Sequence, residues 1–110
     1  MPPGAAAVFG TSFEVILPMT DTLTMTAAQA NTNLVNGVSG LGGGKTLTLP
    51  PISQMVAAQN PFIQVTNNSD SGGTITVAAA TGDAVKGLVS VTAALGARYY
   101  HDGLHTWFQC

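Results

Sequence analysis

Apolar and polar residues alternate with a period of two in short runs along this chain, the pattern of strands with one buried face. Phe13-Glu-Val-Ile-Leu17 puts Phe13, Val15 and Leu17 on one side. Thr22-Leu-Thr-Met-Thr26 sets Leu23 and Met25 between hydroxyls, and Thr46-Leu-Thr-Leu-Pro50 does the same with Leu47 and Leu49. Phe62-Ile-Gln-Val-Thr66, Thr74-Ile-Thr-Val77 and Leu88-Val-Ser-Val-Thr92 repeat the pattern; Arg98-Tyr-Tyr-His101 and Thr106-Trp-Phe-Gln109 close the series. β-Branched and aromatic side chains suit such pleated, half-buried positions. The expected core is Val15, Leu17, Leu23, Leu47, Leu49, Ile63, Val65, Ile75, Val77, Val89, Val91 and Trp107. Trp107 and Phe108 fall on opposite faces of one strand, so one closes the core and the other is left for a subunit contact.

Turn residues separate the runs: Asn67-Asn-Ser-Asp-Ser-Gly-Gly73, Thr81-Gly-Asp83, Leu95-Gly96 and the hairpin signal Asp102-Gly103. Short strands at this spacing predict an all-β fold, a compact antiparallel β-sandwich or barrel of jelly-roll-like character. At most one or two short helical turns interrupt it. Thr26 and Gln29 can form a capping box, which predicts a helical turn or two within residues 26–35, stopped by Asn36-Gly37. Ser53–Gln59, between Pro51 and Pro61, predicts a second short helix or an ordered loop. Residues 1–12 have no period and read as an extended N-terminal arm; residues 13–110 form the β domain.

Charge narrows the possible functions. Charged residues are 7% of the chain, against about 25% in an ordinary soluble domain. Three Lys and Arg and a net charge of −2 cannot support phosphate-backbone binding by counterion release or a polybasic membrane patch. Neither nucleic acid nor membrane is therefore an expected partner. The uncharged stretch Thr46–Ser69 is broken by Thr, Gln, Asn and Pro, which excludes a membrane helix there. The first ten residues lack the positive start and long apolar centre of a secretory signal, and Cys110 has no second cysteine to pair with. A nearly uncharged surface of hydroxyls and amides, with 13 Gly, suits a protein held in a larger assembly.

The segments that invite a chemical reading are weak. Gly40-Leu-Gly-Gly-Gly-Lys-Thr46 has Ser39 where a phosphate-binding loop needs its first Gly, and it leads into Leu-Thr-Leu-Pro-Pro51, a strand rather than a helix. It reads as a turn. His101-Asp-Gly-Leu-His105 could bring two imidazoles and a carboxylate together on a hairpin, and a trimer axis could build a metal site from them. The plainer reading makes Asp102-Gly103 the turn, with His101 and His105 flanking it in solvent, and is preferred. Asp70 and Asp83 are too few for the roughly six to eight oxygens of a calcium site, and both are assigned to turns. There is no Gly-x-Ser-x-Gly elbow and no base beside Cys110. The expectation is a protein without catalysis, cofactor or metal.

Taken in order, Leu23-Thr-Met-Thr-Ala-Ala-Gln29, Leu47-Thr-Leu-Pro-Pro51, Phe62-Ile-Gln-Val-Thr-Asn67, Thr74-Ile-Thr-Val77, Gly82-Asp-Ala-Val-Lys-Gly87 and Tyr100-His-Asp-Gly-Leu-His-Thr-Trp-Phe108 form a series. The series resembles a small β-module of tailed-bacteriophage structural proteins, over about residues 20–108. It departs from that module at Ala84-Val85, where a larger aliphatic is usual, and at Leu104-His105 in the closing loop. The resemblance implies a homotrimeric virion protein, most like a capsid decoration (cement) protein on the outer capsid surface that binds the major capsid protein across capsomer joints. The alternative it implies is a head or tail fibre module for receptor or glycan binding, with Tyr99, Tyr100 and Trp107 in a shallow groove. The residues expected to meet partners are Val8 and Phe9 in the arm, and Tyr99, Tyr100 and Phe108 near the closing hairpin.

Overall fold

The computed structural model describes residues 15–39 and 41–109. The arm, with Val8 and Phe9, lies outside the described residues, as do Phe13 and Cys110. The chain forms β1 (Val15–Met19), β2 (Leu23–Thr24), a 3-10 turn at Ala27–Gln29, β3 (Thr32–Gly37) and β4 (Lys45–Thr48). It continues through helix α1 (Ile52–Ala57) to β5 (Phe62–Asn67), β6 (Ile75–Ala78), β7 (Ala84–Lys86), β8 (Ser90–Val91), β9 (Gly96–His101) and β10 (Thr106–Gln109). The fold is mostly β, as the alternation predicts.

Strand direction differs from the expected antiparallel arrangement. A six-stranded sheet runs β1-β3-β5-β9-β10-β7 and a four-stranded sheet runs β2-β4-β6-β8. Through β6 the chain visits the two sheets alternately, and each strand lies parallel to the one two steps before it. Only β9 with β5, β10 with β9 and β8 with β6 are antiparallel. The sheets are mixed because the turn segments ahead of β6 are corners joining one sheet to the other, not hairpins; Asp102-Gly103 alone makes the hairpin its sequence predicts, between β9 and β10. A period-two pattern specifies which face is buried and carries no information on direction.

Stacked coils put similar tripeptides in register. Leu23 lies beside Leu47, and Leu47 beside Val77. Beyond the strand ends the Met25 N–H donates to the Thr48 carbonyl (2.9 Å) and the Leu49 N–H to the Ala78 carbonyl (2.8 Å), so the ladder continues. The glycine-rich corner Gly42–Gly44 stacks on Gly72–Gly73: Gly42 N–H donates to the Ser71 carbonyl (3.2 Å) and Lys45 N–H to the Thr74 carbonyl (3.0 Å). Its glycines are there for backbone-to-backbone contact, since a Cβ on Gly73 would lie 1.7 Å from the Gly43 carbonyl oxygen.

The two short helical segments fall near the predicted places. At Thr26 the Gln29 side chain accepts the Thr26 N–H (2.9 Å), as the capping-box reading expects, but the turn stops after Gln29. Residues 32–37 are a strand instead of a helix, because β3 gains a full ladder on both sides, with β1 and β5. Helix α1 buries Ile52 and Met55, and the carboxylate that receives its first N–H comes from a distant corner: Ile52 N–H donates to Asp83 Oδ2 (3.0 Å).

Both sheets and α1 bury their apolar residues in one cluster. Leu47, Leu49, Ile63, Val65, Ile75, Val77, Val91 and Trp107 are buried as expected, while Leu17 and Leu23 are half-buried at its rim. Val89 is only partly buried. Met19, Met25, Val35, Leu41, Ile52, Met55 and Tyr99 complete the core. Asn60, 2% exposed, joins the segment before β3 to the start of β5: its Nδ2 donates to the carbonyls of Ala30 (2.9 Å) and Thr32 (3.1 Å), and its Oδ1 accepts from Asn33 Nδ2 (2.7 Å). No helix among the described residues is long and apolar enough to cross a membrane.

Candidate functional site

The alternation that buries one face of the six-stranded sheet turns another set of side chains outward, and register groups them. Ile16 lies beside Leu34, Leu34 beside Gln64, and Gln64 beside Arg98. The next row runs Phe62, Tyr100, Phe108, Lys86. Ile16 and Phe108 are 59% and 44% exposed, far above the core residues on the opposite face. The outer face of this sheet is therefore apolar and aromatic, and it is a larger patch than scattered surface apolar residues would make.

Its polar groups are organised around the rings. The Arg98 guanidinium sits 4.9 Å from the centre of the Phe62 ring. It donates to Gln64 Oε1 (2.9 Å) and to the Tyr100 hydroxyl (3.4 Å). The Phe62 and Tyr100 rings meet at 5.5 Å with a 49° tilt. Among the described residues, charge on this face is one-sided. Of the three cations in the chain, Arg98 and Lys86 are here, while Lys45 pairs with Asp21 at 3.3 Å elsewhere. The described carboxylates, Asp21, Asp70, Asp83 and Asp102, all lie in loops and corners.

A cleft of about 560 Å³ opens at the end of the sheet where β1, β3 and β5 begin. Ile16, Leu34, Pro61 and Phe62 form its apolar walls, with Asn33, Asn60 and Gln64 between them. Gln64, Arg98 and Tyr100 border a shallower depression beside it.

The predicted site residues separate cleanly. Tyr100 and Phe108 stand in register on the outer face. Tyr99 does not join them. It is completely buried on the inner face and its hydroxyl donates to the Leu88 carbonyl (2.6 Å), so its expected role as a contact residue is corrected to a core role. Trp107, offered for the groove of the fibre alternative, is likewise in the core, edge-on to the His101 ring at 5.3 Å. The sequence does not single out Ile16, Leu34, Phe62 and Arg98; for the first three the available signal is an apolar residue at both parities of the strand, and for Arg98 there is none.

Burial has a measurable consequence for Tyr99. Desolvation pushes its phenol up to about 12 from 10.0. The unfolded chain gives up this proton near pH 10 and the folded chain resists until about 12, so this contribution to stability is intact below pH 10 and lost as pH rises from 10 to 12. Tyr99→Phe is expected to lack that alkaline decline, while losing about 0.5–1.5 kcal/mol near neutrality with the Leu88 hydrogen bond. Urea midpoints of both proteins at about pH 8 and about pH 11 check it. An equal alkaline loss in the two proteins would show that Tyr99 is not its source.

The histidine hairpin is a built turn. Asp102 Oδ1 accepts the N–H groups of Leu104 (2.8 Å), His105 (3.0 Å) and Thr106 (3.1 Å), with Gly103 at φ +80°. The Leu104 N–H, followed by that of Thr106, holds the Asp102 carboxyl below its ordinary value. His101 accepts the Gly103 N–H on Nδ1 (3.1 Å), which leaves Nε2 to donate to the Asn60 carbonyl (2.7 Å). His105 Nδ1 faces Asp83 Oδ1 at 3.6 Å. The two imidazoles thus serve different partners, and the described residues hold no group of three His, Cys, Asp or Glu placed to share a metal.

Comparison with protein-family models, curated proteins and solved structures finds no match to this chain.

Proposed function

We propose that this chain is a structural protein of a tailed-bacteriophage virion, a homotrimeric decoration protein that binds the major capsid protein across capsomer joints on the outer capsid surface. The observation that carries the reading is the outward Phe62–Tyr100–Phe108 row, an aromatic surface flanked by Arg98 and Lys86 and bare of the described carboxylates. Aromatic and arginine side chains on a patch that water leaves easily are the groups that dominate protein–protein affinity. The ordered motifs from Leu23 to Phe108 supply the viral context. The action is mechanical: buried area is added across a joint, and it favours the expanded shell only if the expanded shell is bound better than its precursor.

Co-sedimentation with purified expanded shells and precursor shells of the phage that encodes the chain tests this. The wild-type protein is expected to pellet with expanded shells in preference to precursors. Tyr100→Ala combined with Phe108→Ala is expected to weaken binding by about tenfold or more with the circular dichroism spectrum unchanged. Equal binding of the double variant, or no shell binding by the wild-type chain, rules the reading out.

The fibre-module alternative draws on one feature, the Tyr100 ring beside the Gln64 and Arg98 side chains in the shallow depression, where a sugar could stack and hydrogen-bond. Retention on host-cell glycans, abolished by Tyr100→Ala and absent on shells, would favour it.

A further inference from the structure

We infer that the surface covering the outer face of the six-stranded sheet presents a carboxylate to Arg98, the side chain of an Asp or Glu of the capsid protein. The inference rests on the virion reading above and names the chemistry of its partner. It starts from how the guanidinium is held. Arg98 is exposed, yet it lies over the Phe62 ring at 4.9 Å and donates from Nη2 to Gln64 Oε1 (2.9 Å) and from Nη1 to the Tyr100 hydroxyl (3.4 Å). Both acceptors are neutral, so they orient the planar fork without cancelling its charge. A side chain already held in one geometry loses little rotamer freedom when a partner meets it.

Covering this face creates the demand for a counter-charge. A partner that shields Phe62, Tyr100 and Phe108 also strips water from Arg98, and a desolvated cation without an opposite charge opposes binding. Among the described residues no carboxylate pairs with Arg98. Asp21 faces Lys45, Asp83 faces His105, and Asp102 is taken up by the N–H groups of its own turn. The charge therefore comes from the partner. A carboxylate suits the site better than a single neutral acceptor, because its two oxygens match the parallel N–H bonds a guanidinium can offer. Lys86, in the adjoining aromatic row, adds to the attraction for an acidic surface.

Co-sedimentation with expanded shells, native or with their exposed carboxylates amidated by carbodiimide and glycinamide, decides the matter. Arg98→Gln is expected to weaken binding to native shells about tenfold or more, and Arg98→Lys to recover only part of that loss. Lys45→Gln removes the same charge from another part of the chain and should stay within about threefold of wild type. Amidation should cost the wild-type protein binding, while Arg98→Gln, which has already lost the contact, changes little. Wild-type affinity in Arg98→Gln overturns the inference, as does an equal loss in Lys45→Gln or an amidation loss as large in Arg98→Gln as in wild type. Equal wild-type binding to native and amidated shells overturns it too. In each of these cases the shell is still bound and the virion reading stands. A wild-type chain that binds no shell ends that reading, and the inference with it. An Arg98→Gln effect confined to the oligomeric state of the free protein overturns the inference in favour of a second copy on this face.

Discussion

Gly73→Ala is expected to unfold this protein or leave it barely folded, with a loss at or above about 4–5 kcal/mol, a level that few single substitutions reach. The Cβ would lie 1.7 Å from the Gly43 carbonyl oxygen and 2.8 Å from its carbon, and both are backbone atoms that no side-chain rotation can move aside. Relief requires the two glycine-rich corners to part. That would break the Gly42–Ser71 and Lys45–Thr74 hydrogen bonds that begin the β4–β6 ladder. Total stability of a small domain is about 5–15 kcal/mol, so the loss is most of what is available. Gly44→Ala is the matched control: it lies in the same corner, and its Cβ would meet nothing nearer than the Thr74 carbonyl at 3.9 Å. Urea unfolding of the three proteins should show Gly44→Ala close to wild type and Gly73→Ala without a native baseline. Similar midpoints for the two variants would mean that the corners do not stack.

That corner shows which part of the fold a single sequence discloses. The alternation located most strands and most of the large core side chains, because burial on one face of a pleated strand imposes a period of two whatever lies alongside. Direction was not legible, since parallel and antiparallel neighbours impose the same pattern. A sign of stacked coils was nevertheless present in Leu23-Thr-Met25 and Leu47-Thr-Leu49, an internal repetition whose members are in register, while Ile75-Thr-Val77 lies two residues out of step, with Val77 beside Leu47. β3 was hidden by its composition. Asn33, Asn36 and Gly37 have weak strand preference, and pairing on both edges overrides it. The outer face was hidden for a different reason. Where a strand is apolar at both parities, as at Tyr99-Tyr100, sequence cannot say which residue faces in; register decides, and it sent Tyr99 inward and Tyr100 outward.

Asn60 is the polar residue on which the start of the six-stranded sheet depends. It is 2% exposed, yet its amide makes three hydrogen bonds to the 30–33 segment: it donates to the Ala30 and Thr32 carbonyls and accepts from Asn33. Asn60→Ala removes the partner of two carbonyls and of one side-chain amide together. Each orphaned buried group costs about 1–3 kcal/mol, less where the neighbouring cleft admits water, so an overall loss of about 2–5 kcal/mol is expected. Asn60→Asp separates hydrogen bonding from simple packing. The carboxylate has nearly the shape of the amide but turns an acceptor toward two carbonyls, and it can donate a hydrogen bond only when protonated. Burial among acceptors raises its folded-state pKa, so the aspartate variant is weakest above that value and regains stability as pH falls through it toward the unfolded value. Asp21 and Asp102 work in the opposite sense, because their carboxyls are held below the ordinary value and acid removes their contribution. Both variants share that acid loss, so it cancels in the difference between them. Relative to Asn60→Ala, Asn60→Asp is expected to be the less stable protein at neutral pH and to close the gap, or reverse it, at about pH 4. A difference that stays constant with pH would mean that the Asn60 side chain is not facing carbonyls, and that the hydrogen bonds tying β3 to β5 are supplied elsewhere.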